Sequence, residues 1–553
     1  MTARSKERSI KQMHSPAAIK LALTLLITII MIGLGGSAFA AAIQENSPVH
    51  SLDYLVKFDT SKAQSFKSYL SSVVPMGTKM TELGLSGWTR VQTPASKSGN
   101  FNSQASAQAN SQLQSLVMQN IRSLPGVLYV QPNYKIKLLD QPGMDQINEQ
   151  VSEYLSVAKK KKNPPSAGAA DDCPIPGMCG GGARTDNPEI PAPTSPIAGG
   201  TDPLFNNQWG MIDIGVQQAW NKSHGDNKVI VAVIDSGVDY THEDLAENLW
   251  RNPGEVGTDA QGKNKSTNGI DDDGNGYVDD SIGWDFFSKD NKPFDLSVEP
   301  IQLIFGGGNP GHGTHCAGNV AARGFNGKGV SGVAPNVAIM SLRFISDKGE
   351  GTTADAIGAI NYAVANGAKV TSNSWGSEGE DPAEGKENQA LRDAIQNAQD
   401  HGVLFIAAAG NGHNGVGYDN DSDAKPGYPA TYTNENIISV AALDSSDQLG
   451  AFSNWGKTSV DIAAPGVKVY STTVGSTYAD TVIDLLGTKV TWDGTSMATP
   501  HVAGAAALYI SAHPNANWRE VKAAILNSAK RISSLNNKVV SGGKLNVEAM
   551  MNQ

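Results

Sequence analysis

The chain has 553 residues, 39% hydrophobic and 18% charged, which is enough apolar material for a packed core and speaks against wholesale disorder. Its 43 Lys+Arg against 54 Asp+Glu give a net charge of -11, the wrong sign for a general nucleic-acid binder and a suitable one for an exported protein that binds cations. Three Cys rule out a disulfide scaffold or a Cys-rich zinc module, and 59 Gly indicate many tight turns.

The first element is an address. Arg4, Lys6, Arg8, Lys11 and Lys20 surround one acidic residue, Glu7, and lead into the apolar run LALTLLITIIMIGLGG at 21–36. Ala38-Phe39-Ala40 then supplies a small-x-small end, so 1–40 reads as a secretory signal peptide cleaved after Ala40. The alternative is a retained anchor, for which the run is short. No other apolar run is long enough to span a bilayer, so the expected product is secreted (extracellular or periplasmic) with no stable membrane anchor.

Residues 48–139 read as a small α+β unit. LDYLVKF (52–58) alternates like a strand, 105–124 has helical composition, and PGVLYVQPNYKIKL (125–138) reads as a turn, a strand and an extended tail. The composition then shifts. Four Lys at 159–162, Pro164-Pro165, three Gly at 180–182 and PEIPAPTSP at 188–196 mark an exposed, cleavable linker. Cys173 and Cys179, in CPIPGMC, either close a small disulfide or stand as free thiols.

From 202 to 550 the pattern becomes βα alternation. KVIVAVID (228–235), AIMSLRF (338–344), AKVTSNSW (368–375) and GVLFIAAAG (402–410) are nearly continuous apolar runs, the mark of strands buried on both faces. Helical segments at 353–366 and 386–401 lie between them. The expected fold class is α/β, a doubly wound, mostly parallel sheet preceded by the small α+β domain. In such sheets sites form beyond the carboxyl ends of the strands.

Four residues carry chemistry in that frame. Asp235 ends VIVAVID, where a carboxylate either caps a helix or orients an imidazole. His312 lies between two glycines in NPGHGTHCAG, and an imidazole titrating near neutral pH suits a general base; His315 is a second candidate. Asn411 closes AAAGN and is either a turn residue or an amide donor to an oxyanion. Ser496, in DGTSMATPHVAGAAALYI, starts a helix, as a cap or as an exposed nucleophile beside free backbone N–H groups. The order Asp, His, Asn, Ser points to acyl transfer at a serine.

The motifs IDSGVD, HGTHCAG, AAAGN and GTSMATPHVAG resemble those of the subtilisin-like serine proteases, the subtilases, over about 202–550. The resemblance implies a subtilisin-like fold and hydrolysis of protein or peptide substrates. It makes Asp235 the imidazole orienter, His312 rather than His315 the base and then acid, Ser496 the nucleophile and Asn411 the oxyanion donor. It implies that 41–140 is an inhibitory, fold-assisting propeptide whose tail, YKIKL, lies in the cleft like product, and that 201–553 is the catalytic domain. One departure is the linker at 141–200, since the family's propeptide joins the protease directly. The maturation cut therefore falls near 138–141, in the linker, or at both.

For substrate binding, the resemblance places Ser374, Trp375 and Gly376 beside the pocket for the residue preceding the scissile bond (P1). Ala408, Ala409 and Gly410 stand opposite, and Gly427 is its floor. A floor without a side chain implies bulky apolar P1 residues and broad specificity. Gly349, Glu350 and Gly351 would form an edge strand that pairs with extended substrate.

Cations are the second signal. In NGIDDDGNGYVDD (268–280), Asp271, Asp273 and Asn275 alternate, Gly276 permits the turn, and Tyr277 offers a carbonyl, matching positions 1, 3, 5, 6 and 7 of an EF-hand loop. Position 12 is Ile282, so Asp279 or Asp280 is expected to complete a calcium shell. By resemblance alone, Asp202, Asp244 and Asn326, with the carbonyls of Lys328 and Val330, form a further calcium site that pins the catalytic domain's N-terminus. Cys316, beside the catalytic motif, reads as a small buried apolar residue, and Met497 as an oxidation liability.

Overall fold

The computed structural model describes residues 53–62, 77–84, 87–92, 117–139, 202–294, 311–378, 388–485 and 488–553. The signal peptide read at 1–40, the linker at 141–200 with Cys173 and Cys179, and 105–116 of the helical segment lie outside the described residues. Two compact units divide the chain, Met1–Asn133 and Tyr134–Gln553.

The first unit holds β1 (Asp53–Phe58), β2 (Lys79–Glu82), β3 (Trp88–Gln92) and β4 (Val127–Pro132) in an antiparallel sheet of order β2-β3-β1-β4. The alternation of β1 puts Tyr54, Val56 and Phe58 on one buried face with Val91, Ile121 and Val130. Residues 117–122 are helical.

The second unit runs through β5 (Lys135–Leu138), β6 (Ile230–Asp235), β7 (Gly283–Asp285), β8 (Ala338–Arg343), β9 (Glu350–Thr352), β10 (Val370–Asn373) and β11 (Trp375–Glu378). It continues with β12 (Leu404–Ala408), β13 (Gly427–Tyr428), β14 (Ile437–Leu443), β15 (Ile462–Pro465), hairpins β16 (Ser471–Thr473) with β17 (Thr477–Ala479) and β18 (Thr481–Leu485) with β19 (Thr488–Thr491), then β20 (Lys530–Arg531) and β21 (Gly543–Lys544). Nine strands form one sheet of order β20-β21-β15-β14-β12-β10-β6-β8-β7, parallel except for the β20–β21 pair. The strand order reverses between β6 and β10, and that crevice is where an open α/β sheet leaves room for a site.

Among the described residues, five longer helices flank the sheet: α1 (His312–Ala321), α2 (Thr353–Ala365), α3 (Gln389–Asp400), α4 (Thr495–Ala512) and α5 (Trp518–Asn527). α3 begins later than the composition suggests because the Asn388 side chain accepts the Leu391 N–H and caps it. α4 is apolar nearly all round and buried along most of its length. Its Val502 and Leu508 join Val320 of α1 and Val231, Val370, Leu404 and Val440 of the sheet in one core.

A second, four-stranded sheet has the order β13-β11-β5-β9. The tail KIKL is therefore an interior strand of the second unit's own sheet. It pairs antiparallel with β11 (Trp375 opposite Leu138, Gly376 opposite Lys137) and with β9 (Gly351 opposite Ile136). The Leu138 N–H also donates to the Gly349 carbonyl at 2.9 Å.

Candidate active site

Asp235 is the last residue of β6, and its buried carboxylate accepts two bonds at Oδ1: the Ser236 N–H at 2.7 Å and His312 Nδ1–H at 2.8 Å. His312 is the first residue of α1, so one strand end and one helix start meet at the reversal of the sheet. Holding Nδ1–H leaves Nε2 as the imidazole's basic atom, and Nε2 is buried without a hydrogen-bond partner. Burial disfavours the imidazolium. The Asp235 carboxylate outweighs this and holds the His312 pKa well above the ordinary histidine value. His315 is different in kind. Burial pushes its pKa down to about 3, its Nε2 bonds the Val469 carbonyl at 3.0 Å, and its ring stacks on Trp492. It is a neutral packing group, one turn from His312.

Ser496 is the second residue of α4, where the first amides have no intrahelical acceptor. Gly494 turns the chain into this helix at φ 153° and ψ 155°, and a Cβ there would press on Asn411 Nδ2 at 3.2 Å. Pro500 lies four residues after Ser496 and lacks an N–H, so the Ser496 carbonyl loses its ordinary helical donor. Two side chains take that donor's place: Ser374 Oγ–H at 2.8 Å and the Cys316 thiol at 3.5 Å. Burial pushes the Cys316 thiol up, so it stands here as a neutral donor. The Ser496 hydroxyl itself donates to the Ser374 carbonyl at 3.1 Å, leaving Nε2 of His312 free to receive that proton after a rotation about the serine's χ1.

Asn411 follows the end of β12. Its Oδ1 accepts both the N–H and the hydroxyl of Thr495, at 2.9 and 2.8 Å, and the same hydroxyl accepts the Gly410 N–H at 3.2 Å. Two donors on one oxygen fix the amide's orientation, and Nδ2 lies at the entry to α4, 3.2 Å from where a Gly494 Cβ would stand. A rotated serine, a neutral imidazole and an amide beside a helix N-terminus can together attack a carbonyl and hold the resulting oxyanion.

The residues assigned to substrate binding gather around β5. Trp375, Gly376 and Gly351 pair with it, and Gly349 bonds it. Gly427 in β13 pairs with Glu378 of β11, and a Cβ on Gly427 would lie 2.8 Å from the Ala409 carbonyl, so the wall ending in Ala408–Gly410 adjoins the floor. Leu139, the next residue after β5, is buried, and its Cδ2 would lie 3.4 Å from a Cβ on Gly376.

The acidic loop folds around its own carboxylates. Asp271 accepts the backbone amides of Gly274, Asn275 and Gly276; Asp273 accepts the Asn275 N–H and Asn252 Nδ2–H; the Asn275 side-chain oxygen Oδ1 accepts the Tyr277 N–H. The carboxylate that gathers with Asp271 and Asp273 is Glu255, a residue the spacing does not reveal. Ligand oxygens of these three lie within 4.8 Å of one another. Glu255 is fully buried. One oxygen accepts the amides of Asp272 and Asp273, and the other has no partner. Burial, aided by Asp280 and Asp273, raises its pKa. Asp280 stands beside the cluster, but its oxygens are taken by Asn252, Asn275 and the Tyr362 hydroxyl, and Asp279 turns back to the Gly269 N–H. Glu255 is thus the carboxylate grouped with Asp271 and Asp273, while Asp279 and Asp280 are engaged in bonds of their own. A buried, half-unpaired carboxylate among others fits a hard cation with oxygen ligands.

Asp202, Asp244 and Asn326 also come together. Asp202 accepts the amides of Phe325 and Asn326, and Asp244 accepts Asn326 Nδ2 at 2.8 Å and the Val330 N–H at 2.9 Å. The Lys328 N–H bonds the Asn326 side-chain oxygen. Burial, with Asp244 adding repulsion, pushes the Asp202 pKa up to about 6, the condition a divalent cation relieves. Asn252 and Glu255 are the residues here that sequence reasoning missed. They lie in a turn with no spacing pattern and are brought to the loop only by folding.

Residues 226–544, more than half of the chain, match the Subtilase family. Thermitase of Thermoactinomyces vulgaris is 36% identical over 333 residues, spanning 60% of this chain and 92% of thermitase. A thermophilic serine proteinase of Bacillus sp. (strain AK1) is 34% identical over 326 residues, 59% of this chain and 62% of that protein. The crystal structure of fervidolysin from Fervidobacterium pennivorans, titled a keratinolytic enzyme related to subtilisin, shares the fold with a TM-score of 0.57 at 24% identity, covering 92% of this chain and 62% of that one. The α/β core, the crevice at its strand reversal and this match together make the chain a member of the subtilases, the hydrolase family of subtilisin-like serine endopeptidases.

Proposed function

We propose that the protein is a secreted, calcium-stabilised subtilisin-like endopeptidase made as a preproenzyme, with Asp235, His312 and Ser496 as its triad and Asn411 as oxyanion donor. The observation that carries this reading is β5, the propeptide tail, seated as the middle strand between β9 and β11, in the manner of a bound product, with the Ser496 hydroxyl bonded to the carbonyl of Ser374, immediately before β11.

In the reaction, His312 Nε2 takes the proton of Ser496 Oγ as the oxygen attacks the scissile carbonyl. Asp235 holds Nδ1–H and stabilises the imidazolium without becoming protonated. Asn411 Nδ2 and the Ser496 N–H bind the developing oxyanion. The imidazolium then protonates the leaving amine, and water, activated by the same imidazole, releases the acyl group. β9 and β11 hold the substrate extended, and the Gly427 floor admits a bulky apolar P1 side chain. Asn411→Ala is expected to lower kcat by about 10²–10³ with little change in KM, the range known for subtilisin itself. Steady-state kinetics on a peptide anilide would check this, and an unchanged kcat would remove Asn411 from the role.

Maturation tests the whole reading. Wild type and Ser496→Ala are expressed with calcium and compared by intact mass and N-terminal sequencing. Only the wild type is expected to lose the segment up to a point between 138 and 201. Retention of that segment by both would favour a catalytically silent binding protein.

Glu255, Asp271, Asp273 and Asn275, with the Tyr277 carbonyl, would hold one calcium. Asp202, Asp244 and Asn326, with the Lys328 and Val330 carbonyls, would hold another. Bound there, the ion neutralises the clustered carboxylates and ties distant segments together, a stabilisation of about 2.7 kcal/mol per site at a hundredfold excess over Kd. The raised Asp202 pKa sets the pH dependence. In the metal-free fold its stabilising contribution is present below the ordinary aspartate pKa and is lost as pH rises through about 6. Chelation is therefore expected to lower Tm more at about pH 8 than at about pH 5, read by calorimetry with and without EDTA. Equal losses at both pH values would contradict this assignment.

A further inference from the structure

Behind the P1 pocket lie two buried asparagines, Asn420 and Asn454, 5% and 0% exposed. Their side chains converge on one carbonyl: Asn420 Nδ2 donates to the Ala409 oxygen at 2.9 Å and Asn454 Nδ2 to the same oxygen at 3.3 Å. Asn420 Oδ1 accepts the Gly427 N–H at 3.2 Å and Asn454 Nδ2 at 3.3 Å. The Asn454 N–H holds the next carbonyl, Gly410, at 2.9 Å, and the Asn420 N–H bonds the Trp455 carbonyl at 2.7 Å.

Backbone chemistry explains why such residues are needed. The pairing of β12 with β14 ends at Ala408 opposite Val440, so the carbonyls of Ala409 and Gly410 leave the sheet while still buried. A buried carbonyl needs a donor, and both donors come from the asparagine pair. These two carbonyls belong to one wall of the pocket, and the Gly427 amide belongs to its floor. One side chain, Asn420, bonds wall and floor at once and lies 3.8 Å from where a Gly427 Cβ would stand.

We infer that Asn420, locked by Asn454, is a positioning residue that sets the width of the P1 pocket and hence the preference for bulky over small P1 side chains. This rests on the endopeptidase reading above and deepens it. Asn420 lies in the loop between AAAGN and the floor glycine, outside every motif that suggested the function.

The experiment uses matured wild type, Asn420→Ala, the milder Asn420→Ser and, for comparison, Asn436→Ala. Asn436 is equally buried, but its amide serves the Ile395 and Val403 carbonyls. The substrates are two tetrapeptide anilides differing only in P1, Phe or Ala. Asn420→Ala is expected to lower the Phe-to-Ala ratio of kcat/KM about tenfold or more, because only the large side chain touches both wall and floor. Asn420→Ser, which keeps a hydroxyl donor for one partner, should fall between, and it carries the comparison should the alanine variant fail to mature. Asn436→Ala should lower Tm and leave the ratio unchanged. An unchanged ratio in both Asn420 variants, or an equal drop in Asn436→Ala, overturns the inference. A matured wild type that cleaves neither substrate overturns the endopeptidase reading instead, and one that prefers Ala over Phe overturns the pocket reading.

Discussion

Replacing Ser496 by alanine is expected to lower kcat by about six orders of magnitude, the loss known for the serine of subtilisin, while leaving the fold intact. The bonds around this residue are why the two effects separate. The Ser496 carbonyl, freed from the helix ladder by Pro500, is held by Ser374 and Cys316, and neither bond involves the hydroxyl. Loss of Oγ removes one 3.1 Å bond to the Ser374 carbonyl and leaves the start of α4 anchored. The Asn411 amide and the helix-start N–H also survive, so the residual rate should stay above that of the uncatalysed reaction. Kinetics on externally processed protein, with Tm measured in parallel, would read this. A variant keeping more than about 1% of wild-type kcat would disprove the nucleophile assignment.

Asp235→Asn is the second large effect, about 10⁴-fold in kcat. The carboxylate accepts His312 Nδ1–H and the Ser236 N–H at the same oxygen. An amide there can turn its NH₂ toward Nδ1, which drives the proton to Nε2 and removes the basic atom from the serine. The pH profile should change with the rate. Burial alone disfavours the imidazolium, and the carboxylate reverses that, so the His312 pKa lies well above the ordinary value. A general base must be unprotonated, so wild-type kcat/KM should rise with pH through this high pKa and fall away on the acid side. Without the carboxylate, the largest influence opposing burial is gone and the acid limb should move to lower pH. Profiles of both proteins would show a much slower variant with a downshifted limb. A limb that stays in place would mean that Asp235 does not set the base's protonation.

Strand length accounts for part of what was legible in the sequence. β6, β8 and β12 are runs of five or six residues, nearly all buried, and stand out as apolar blocks, whereas β10, VTSN, is buried but mostly polar. β14 is as apolar but carries no chemical motif, and it was not among the strands read from the sequence. β15, β20 and β21 have two to four residues, too few to show a period. The site was legible because each of its side chains sits where a strand or helix begins or ends, and such junctions carry glycines. Asp235, His312, Asn411 and Ser496 all lie within two residues of one. Glu255 and Asn454 also lie within two residues of a glycine, but neither they nor Asn420 belong to a motif with a recognisable spacing. Their roles come from what folding sets beside them, a cluster of carboxylates in one case and a pair of departing carbonyls in the other.

The position of β5 as an interior strand has a further consequence. On the proposed maturation β5 leaves, and β9 and β11 would then be two facing edges across a gap one strand wide, about 10 Å at ordinary strand spacing. Each edge carries unspent donors and acceptors, and only a straightened polypeptide can satisfy both at once. A helix is too wide for the gap, and a strand already paired within a sheet has no free edges to offer. What the cleft tests first is therefore whether a chain can be pulled straight, and only then what its side chains are. Targets would then be vulnerable at long surface loops, frayed ends and locally melted segments, so a partner's own stability would govern how fast it is cut.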